Sequence, residues 1–110
     1  GLLESVYKPC FLHELKKAGI EYKTEFKVPV VWNDLQFETD YRLDILVEDL
    51  IVVELKAVEK LMPVHTAQVL TYMRLTQKPK GLLINFSSAN IFKDGQKSLV
   101  NEHFALLPER

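Results

Sequence analysis

The first 20 residues carry apolar side chains at steps of three and four. These residues are Leu3, Val6, Tyr7, Cys10, Phe11, Leu15 and Ala18. Such spacing places side chains along one face of a helix, so we predict a helix over about residues 2–18 that is stopped by Gly19. Cys10 belongs to this face and is expected in the core. Pro9 lies inside the pattern and predicts either a kink or a helix that begins near Lys8.

The next 36 residues alternate between apolar and polar positions, which is typical of strands with one buried face. The alternating runs are 26–32, 35–47 and 51–56, separated by turns at 33–34 and 48–49. Pro29 cannot donate a hydrogen bond to a neighbouring strand, so its position indicates a sheet edge or a bulge. Together these runs predict an antiparallel meander over residues 22–57.

The second half of the chain predicts one more helix and one interior strand. Pro63 suits the first turn of a helix that extends to about Thr76, and residues 82–86 form a short apolar run. A helical crossover between strands 51–56 and 82–86 makes the two strands parallel, and we expect this connection to be right-handed. Residues 97–100 predict an edge strand. The expected fold is a single α/β domain over residues 1–110, with the order αβββαβ and a mixed, mainly antiparallel sheet flanked by helices.

Composition and charge narrow the function classes. Hydrophobic residues make up 47% of the 110 residues, yet no run approaches the roughly 18 apolar residues of a membrane span. Cys10 is the only cysteine, which excludes an intramolecular disulfide framework and favours the cytoplasm. The net charge of −1 argues against a protein that coats nucleic acid. Residues 1–49 carry 6 basic and 10 acidic side chains, whereas residues 50–110 carry 8 and 5, so a local basic surface remains compatible with this total.

Three charged residues converge on the predicted hairpin of residues 35–56. If the turn at 48–49 closes a three-residue loop through Leu50, Asp44 lies directly opposite Glu54; a two-residue turn shifts this pairing by one. Strand alternation places Glu54 and Lys56 on one face. Opposed carboxylates repel each other, and a small hard cation, magnesium or manganese, would resolve the conflict. The alternative is a surface where Lys56 and Arg42 simply pair with the two acids.

Motifs along the chain favour the metal site over the surface ion pairs. Residues 1–7 have the form G-x-x-E-x-x-Y, Asp44 precedes Glu54 and Lys56 as D-x9-E-x-K, and Gln68 with Tyr72 gives Q-x-x-x-Y. The sequence closely resembles the GxxExxY family, a branch of the PD-(D/E)XK nuclease superfamily, from residue 1 to about residue 86. Leu43 stands where the superfamily's nominal motif has proline.

The resemblance implies a restriction-endonuclease-like fold and metal-dependent hydrolysis of nucleic acid, DNA in particular. It implies that Asp44, Glu54 and the backbone carbonyl of Leu55 hold the metal, and that Glu4 reaches it directly or through water. Lys56 would orient or deprotonate the attacking water, or stabilise charge on the phosphate. Gln68 and Tyr72 would contact the nucleic-acid backbone or position the lysine.

Other residues are candidates for substrate contact. His65 precedes Gln68 on the second helix and is either a surface residue or a contact to the scissile region. The basic excess after residue 50 predicts a substrate track near the metal end of the sheet, formed by Lys60, Arg74, Lys78 and Lys80. Two other functions stay open: a module with this fold that binds nucleic acid or protein without cutting, and a subunit whose homodimeric or other partner completes the substrate groove.

Overall fold

A computed structural model of the protein describes residues 2–28, 30–32, 34–37, 42–88 and 94–102. The helices and strands are α1 (Leu2–Lys17), β1 (Tyr22–Lys27), β2 (Val30–Trp32), β3 (Leu35–Phe37), β4 (Arg42–Val47), β5 (Ile51–Lys56), α2 (Pro63–Thr76), β6 (Lys80–Asn85) and β7 (Gln96–Val100). Pro29 and the turn residue Asn33 lie outside the described residues.

Five strands form one mixed sheet in the order β1-β4-β5-β6-β7, and β2 pairs with β3 in a separate two-stranded sheet. Within the larger sheet β5 and β6 are parallel, whereas the other neighbours are antiparallel. Val52 packs with α2, while the next residue, Val53, belongs to the cluster that α1 covers. The sheet therefore lies between the two helices, which confirms the predicted α/β fold class.

Helix α1 runs unbroken through Pro9, so the alternative start near Lys8 is wrong. It ends at Lys17, just before Gly19, which was predicted to stop it and whose φ of +73° is favourable for glycine. The sheet packs against Phe11, Leu12 and Leu15. Cys10 is exposed, so its predicted place in the core is wrong.

The predicted strand over residues 26–32 is divided into β1 and β2, and β1 begins four residues earlier than expected. Glu25 has a φ of +51° within β1, and the pairing of β1 with β4 skips it between Thr24 and Phe26. This local distortion lies beside Asp44 on β4. Leu43 packs on the α2 side although Ile45 and Val47 pack on the α1 side. Strand alternation predicts one face for all three residues, and this expectation is wrong for Leu43. The change of face falls at the point where Glu25 and Asp44 are left unpaired, and the register of β1 and β4 is the same on both sides of that point.

The turn between β4 and β5 sets the register that places the carboxylates. Ile45 pairs with Val53 and Val47 with Ile51, which confirms the three-residue loop. Glu48 and Asp49 adopt left-handed backbone conformations with φ of +53° and +56°. Extending this register by one residue places Asp44 opposite Glu54, as predicted.

Helix α2 begins at Pro63 and ends at Thr76, as predicted, and is capped by Gln77, which has a φ of +57°. The chain then enters β6, where Gly81 lies directly beneath the helix. A Cβ at Gly81 would lie 2.6 Å from Met73 Sδ and 2.7 Å from Val69 Cγ1, so only glycine allows this close packing. No helix within the described ranges is both long and apolar enough to cross a membrane.

Candidate active site

The carboxylate pair lies where strands β4 and β5 stop pairing through their backbones. The last backbone pair is Ile45 with Val53, and beyond it hydrogen bonds to side chains connect the two strands. The Asp44 backbone N–H donates to Glu54 Oε1 (3.2 Å), and the Leu55 backbone N–H donates to Asp44 Oδ2 (3.0 Å). Each carboxylate is thus held by the opposite strand, which fixes both groups at the open end of the hairpin.

Glu54 is the buried member of the pair, with 4% of its surface exposed. This burial raises the pKa of Glu54, and the nearby negative charge of Asp44 raises it further, to about 8. The hydrogen bond from the Asp44 backbone and the charge of Lys56 act in the opposite direction but are weaker. Burial and the charge of Asp44 thus favour the protonated form of Glu54. The alternative of a solvated surface pair is wrong for this residue.

The chemistry of these donors fits a small hard cation. Two carboxylates lie together, and their mutual repulsion is what a divalent cation would relieve. The N–H and C=O of one strand residue point to the same side, so the Leu55 carbonyl faces the side of β5 from which Asp44 accepts its hydrogen bond. Within the described part of the chain, no group of three or more histidine, cysteine, aspartate or glutamate side chains could hold a metal.

A cavity of about 340 Å³ opens beside the carboxylate pair at the carboxyl end of β5. Its lining includes Tyr7, Lys8, Asp44, Leu55, Lys56 and Phe86. The predicted residues Asp44, Leu55 and Lys56 are thus brought together, with Glu54 linked to them through Asp44. Glu4 lies in α1, one helical turn before Lys8, and its side chain is outside the described residues.

Lys8 is a cavity residue that the sequence patterns did not single out. It forms an ion pair with Glu25, the residue with the left-handed backbone in β1. The hydrogen bond and the positive charge of Lys8 lower the pKa of Glu25. Its position directly after the tyrosine of G-x-x-E-x-x-Y was the available signal, because α1 carries both residues to the cavity.

Asn85 is a second residue that the patterns missed. It is 2% exposed at the end of β6, and its side chain binds both backbone groups of Val58: Nδ2 donates to the carbonyl (2.8 Å) and Oδ1 accepts from the N–H (3.0 Å). Asn85 thereby holds the segment that follows Lys56. A polar residue that ends an apolar interior run was the available signal for such a clamp.

The candidate residues on α2 are Gln68, Tyr72 and His65, and they make contacts within and next to that helix. Gln68 Nε2 donates to Tyr72 Oη (3.1 Å), and Tyr72 is 8% exposed within the core. A direct contact of Tyr72 with nucleic acid does not fit this burial. His65 Nδ1 accepts from the Met62 backbone N–H (2.8 Å) at the start of α2, so it caps the helix. Gln68 and His65 border a separate shallow cavity.

The predicted basic track is wrong in its placement. Lys80 pairs with Ile51, and Lys78 precedes it; both therefore lie at the opposite end of β5 from Lys56, roughly 16 Å away along the strand. Lys78 also forms an ion pair with Asp49 (2.9 Å). Arg74 lies in the last turn of α2, next to the same end. Lys60 is exposed and follows Lys56 by four residues, so it alone of the four lies near the expected end.

Comparison with known proteins identifies the family but gives no individual relative. No curated protein and no solved structure matches the chain. The family model described as the PD-(D/E)XK nuclease superfamily matches residues 1–98. This match extends from α1 to the first half of β7 and includes both helices, the carboxylate pair and Lys56. It agrees with the five-stranded mixed sheet between two helices. The chain belongs to the PD-(D/E)XK nuclease superfamily.

Proposed function

We propose that this protein is a metal-dependent nuclease of the GxxExxY branch that hydrolyses phosphodiester bonds in DNA. The observation that carries the proposal is the reciprocal hydrogen bonding of Asp44 and Glu54 at the open end of the hairpin, beside Lys56. A hairpin that needed only stability would gain from replacing one of these two acids. Their retention next to a lysine in a cavity is explained by phosphodiester chemistry.

Asp44, Glu54 and the Leu55 carbonyl are the groups that would hold magnesium or manganese, and Glu4 would reach the ion from α1, directly or through water. When bound, such an ion supplies positive charge that acidifies water and stabilises charge on a transferring phosphoryl group. Glu54 has to release its proton before it can act as a ligand, because its pKa is raised to about 8. Metal binding is therefore coupled to proton release.

Lys56 acts on the other side of the reacting phosphate in this proposal. Lys56 lines the cavity. As an ammonium it either orients the attacking water or stabilises charge on the phosphate; the alternative is that its neutral amine accepts a proton from that water. Asn85 and the segment it clamps keep the backbone after Lys56 in place. Gln68 and His65, on α2, and Lys60 are proposed to contact the nucleic-acid backbone, with Tyr72 holding the Gln68 side chain.

Incubation with linear and circular DNA, single- and double-stranded, and with RNA of the same sequence tests the proposal. Each substrate is incubated with magnesium, manganese or a chelator. We expect cleavage of DNA with either metal and none with the chelator. A protein that binds these strands but leaves all of them intact in both metals would instead be the non-cleaving module, and the nuclease proposal would be overturned.

The proposed location is the cytoplasm, because a single cysteine offers no intramolecular disulfide. A second copy or a partner subunit would extend the small cavity into a groove for longer substrates. Size-exclusion chromatography with and without DNA checks this point: a monomer in both conditions would argue against a required second copy.

A further inference from the structure

Two aromatic rings from distant parts of the chain stack against each other in the wall of the candidate active site. The rings of Tyr7 and Phe86 have centroids 4.6 Å apart and an interplanar angle of 17°. Both residues are half-buried, and both line the cavity that contains Asp44 and Lys56. The cavity therefore combines an aromatic surface with the groups proposed to act on phosphate.

The backbone fixes this aromatic surface relative to Lys56. The Phe86 N–H donates to the carbonyl of Lys56 (2.8 Å), across the parallel strands β5 and β6. The neighbouring Asn85 clamps Val58 on the other side of Lys56. A ring held in this way can meet a base while the lysine meets the adjoining phosphate.

We propose that Tyr7 and Phe86 form a stacking subsite for an unpaired base, and that the substrate is a single strand of nucleic acid. The inference rests on the proposed nuclease function and names its substrate class. Proteins that bind single strands combine cationic groups for the backbone with aromatic rings for the bases. This cavity contains both, since Lys56 lies in its lining together with the two rings. Lys8 also lines the cavity and is paired there with Glu25.

The size of the cavity also favours an unpaired base. Its volume of about 340 Å³ is near the lower end of the roughly 300–1,000 Å³ range of small-ligand sites. Inside a duplex both faces of an internal base are covered by its neighbours, so such a base has to leave the duplex before it can stack on a protein ring. A base on Tyr7 or Phe86 is then a base of a single strand, or one extruded from a duplex.

The experiment separates base stacking from a purely structural role of the rings in anchoring α1. Binding is measured in calcium, a hard cation that would occupy the carboxylate site. The two probes are a 12-nucleotide thymidine strand and a 12-unit abasic strand with the same phosphates. A covalently closed circular duplex, which has no terminal base pair, serves as competitor. The proteins are the parent, Tyr7→Leu and Phe86→Leu. Tyr22→Leu is the matched control, because Tyr22 packs on the same cluster as Phe86 but lies at the other end of the sheet.

We expect the parent to bind the thymidine strand about tenfold more tightly than the abasic strand, within the range of a base on an aromatic ring. In Tyr7→Leu and Phe86→Leu this ratio should fall towards one, whereas Tyr22→Leu should keep it. Phe86→Tyr should restore the ratio because it restores a ring. Thermal unfolding of each variant checks the fold, and Tyr7→Leu tests the loss of a ring in the case in which Phe86→Leu does not fold.

Equal binding of the two strands to the parent, or no binding of any strand, would overturn the stacking subsite. So would a binding ratio that survives in Phe86→Leu, or a duplex that competes as well as the thymidine strand. Failure of the nuclease proposal has a different signature. Cleavage in magnesium with equal binding of both strands leaves the nuclease standing without the subsite, and a tenfold ratio without cleavage leaves the subsite standing without the nuclease.

Discussion

The two ends of the β4–β5 hairpin each place an acidic residue near a lysine, with opposite results. At the turn, Asp49 Oδ1 lies 2.9 Å from Lys78 Nζ, and 71% of the aspartate side chain is exposed. The hydrogen bond and charge of Lys78 lower the pKa of Asp49. At the open end, Glu54 is 4% exposed, and its pKa is raised to about 8 although Lys56 is near.

Desolvation and a second carboxylate account for the difference. An exposed acid keeps its hydration, so a neighbouring ammonium is the largest influence on it. A buried acid loses that hydration and, in this hairpin, also meets Asp44. An acid near a lysine therefore forms an ordinary surface ion pair at the turn, and a buried carboxylate with a raised pKa where the strand pairing opens.

Removing the lysine at each end gives the largest expected contrast. Lys56→Ala should lower the rate of DNA cleavage by roughly 10²- to 10⁴-fold, the range for losing a positioned acid–base group. Lys78→Ala should leave that rate unchanged, because Lys78 lies at the far end of β5 and pairs with Asp49. Cleavage rates at saturating magnesium measure the contrast. Similar rates for both variants and the parent would remove Lys56 from catalysis.

The pH dependence of stability should differ between the two ends as well. Glu54 has a folded pKa of about 8 and an unfolded value of 4.5, so between these values the folded state binds the additional proton. Metal-free stability then falls as pH rises through this window, by at most about 1.4 kcal/mol per pH unit. Glu54→Gln should abolish this part of the slope. The measurement is the free energy of unfolding by urea between pH 5 and 8.5.

Asp49→Asn is the matched control for this measurement. The pKa of Asp49 is lowered from 3.8, so its contribution is present above that value and is lost only as pH falls below it. The slope between pH 5 and 8.5 should therefore be the same as in the parent. A parent slope that Glu54→Gln leaves unchanged would mean that Glu54 is ionised throughout this range.

Much of the fold was predictable because local signals agreed with the final packing. The turn at Glu48–Leu50 set the hairpin register, and Pro63 marked the start of α2. Helix α1 shows the limit. Its apolar residues surround more than one face, and only packing decided that Leu12 meets the sheet while Val6 stays 48% exposed and Cys10 faces solvent.

The candidate site was predictable where its residues are cross-strand neighbours. Asp44 and Glu54 follow from the register alone. Asn85 was missed because its partner Val58 is 27 residues away, across a parallel pairing that alternation does not reveal. Lys78 and Lys80 were misplaced because charge counted along the chain ignores strand direction: a strand parallel to β5 begins at the end opposite Lys56.

A smaller effect is expected from Asp44→Asn, which tests whether the open end binds metal. The amide oxygen can still accept from the Leu55 N–H, and the repulsion of Glu54 is relieved, so metal-free stability should equal or exceed that of the parent. At pH 8.5 and 100 times the dissociation constant, magnesium or manganese should stabilise the parent by about 2.7 kcal/mol. The variant should lose most of this gain.

Thermal unfolding with and without metal measures this difference. For a domain near 100 residues, 1 kcal/mol moves the midpoint by roughly 4–8 °C, so the expected gain is easily resolved. If the variant is strongly destabilised without metal and neither metal changes the unfolding midpoint of the parent, Asp44 is a structural partner of Leu55.

The smallest effect is expected at the turn. Asp49→Asn removes the charge partner of Lys78 but no buried group, because Asp49 is exposed and its ion pair is screened by solvent. Its unfolding midpoint should stay close to that of the parent, and any difference should shrink as salt is raised from 0.05 to 0.5 M. The metal-induced shift should be fully retained. A large, salt-independent loss of stability in Asp49→Asn would show that Asp49 contributes to stability as a buried group does. The contrast between burial at Glu54 and exposure at Asp49 would then no longer distinguish the two ends of the hairpin.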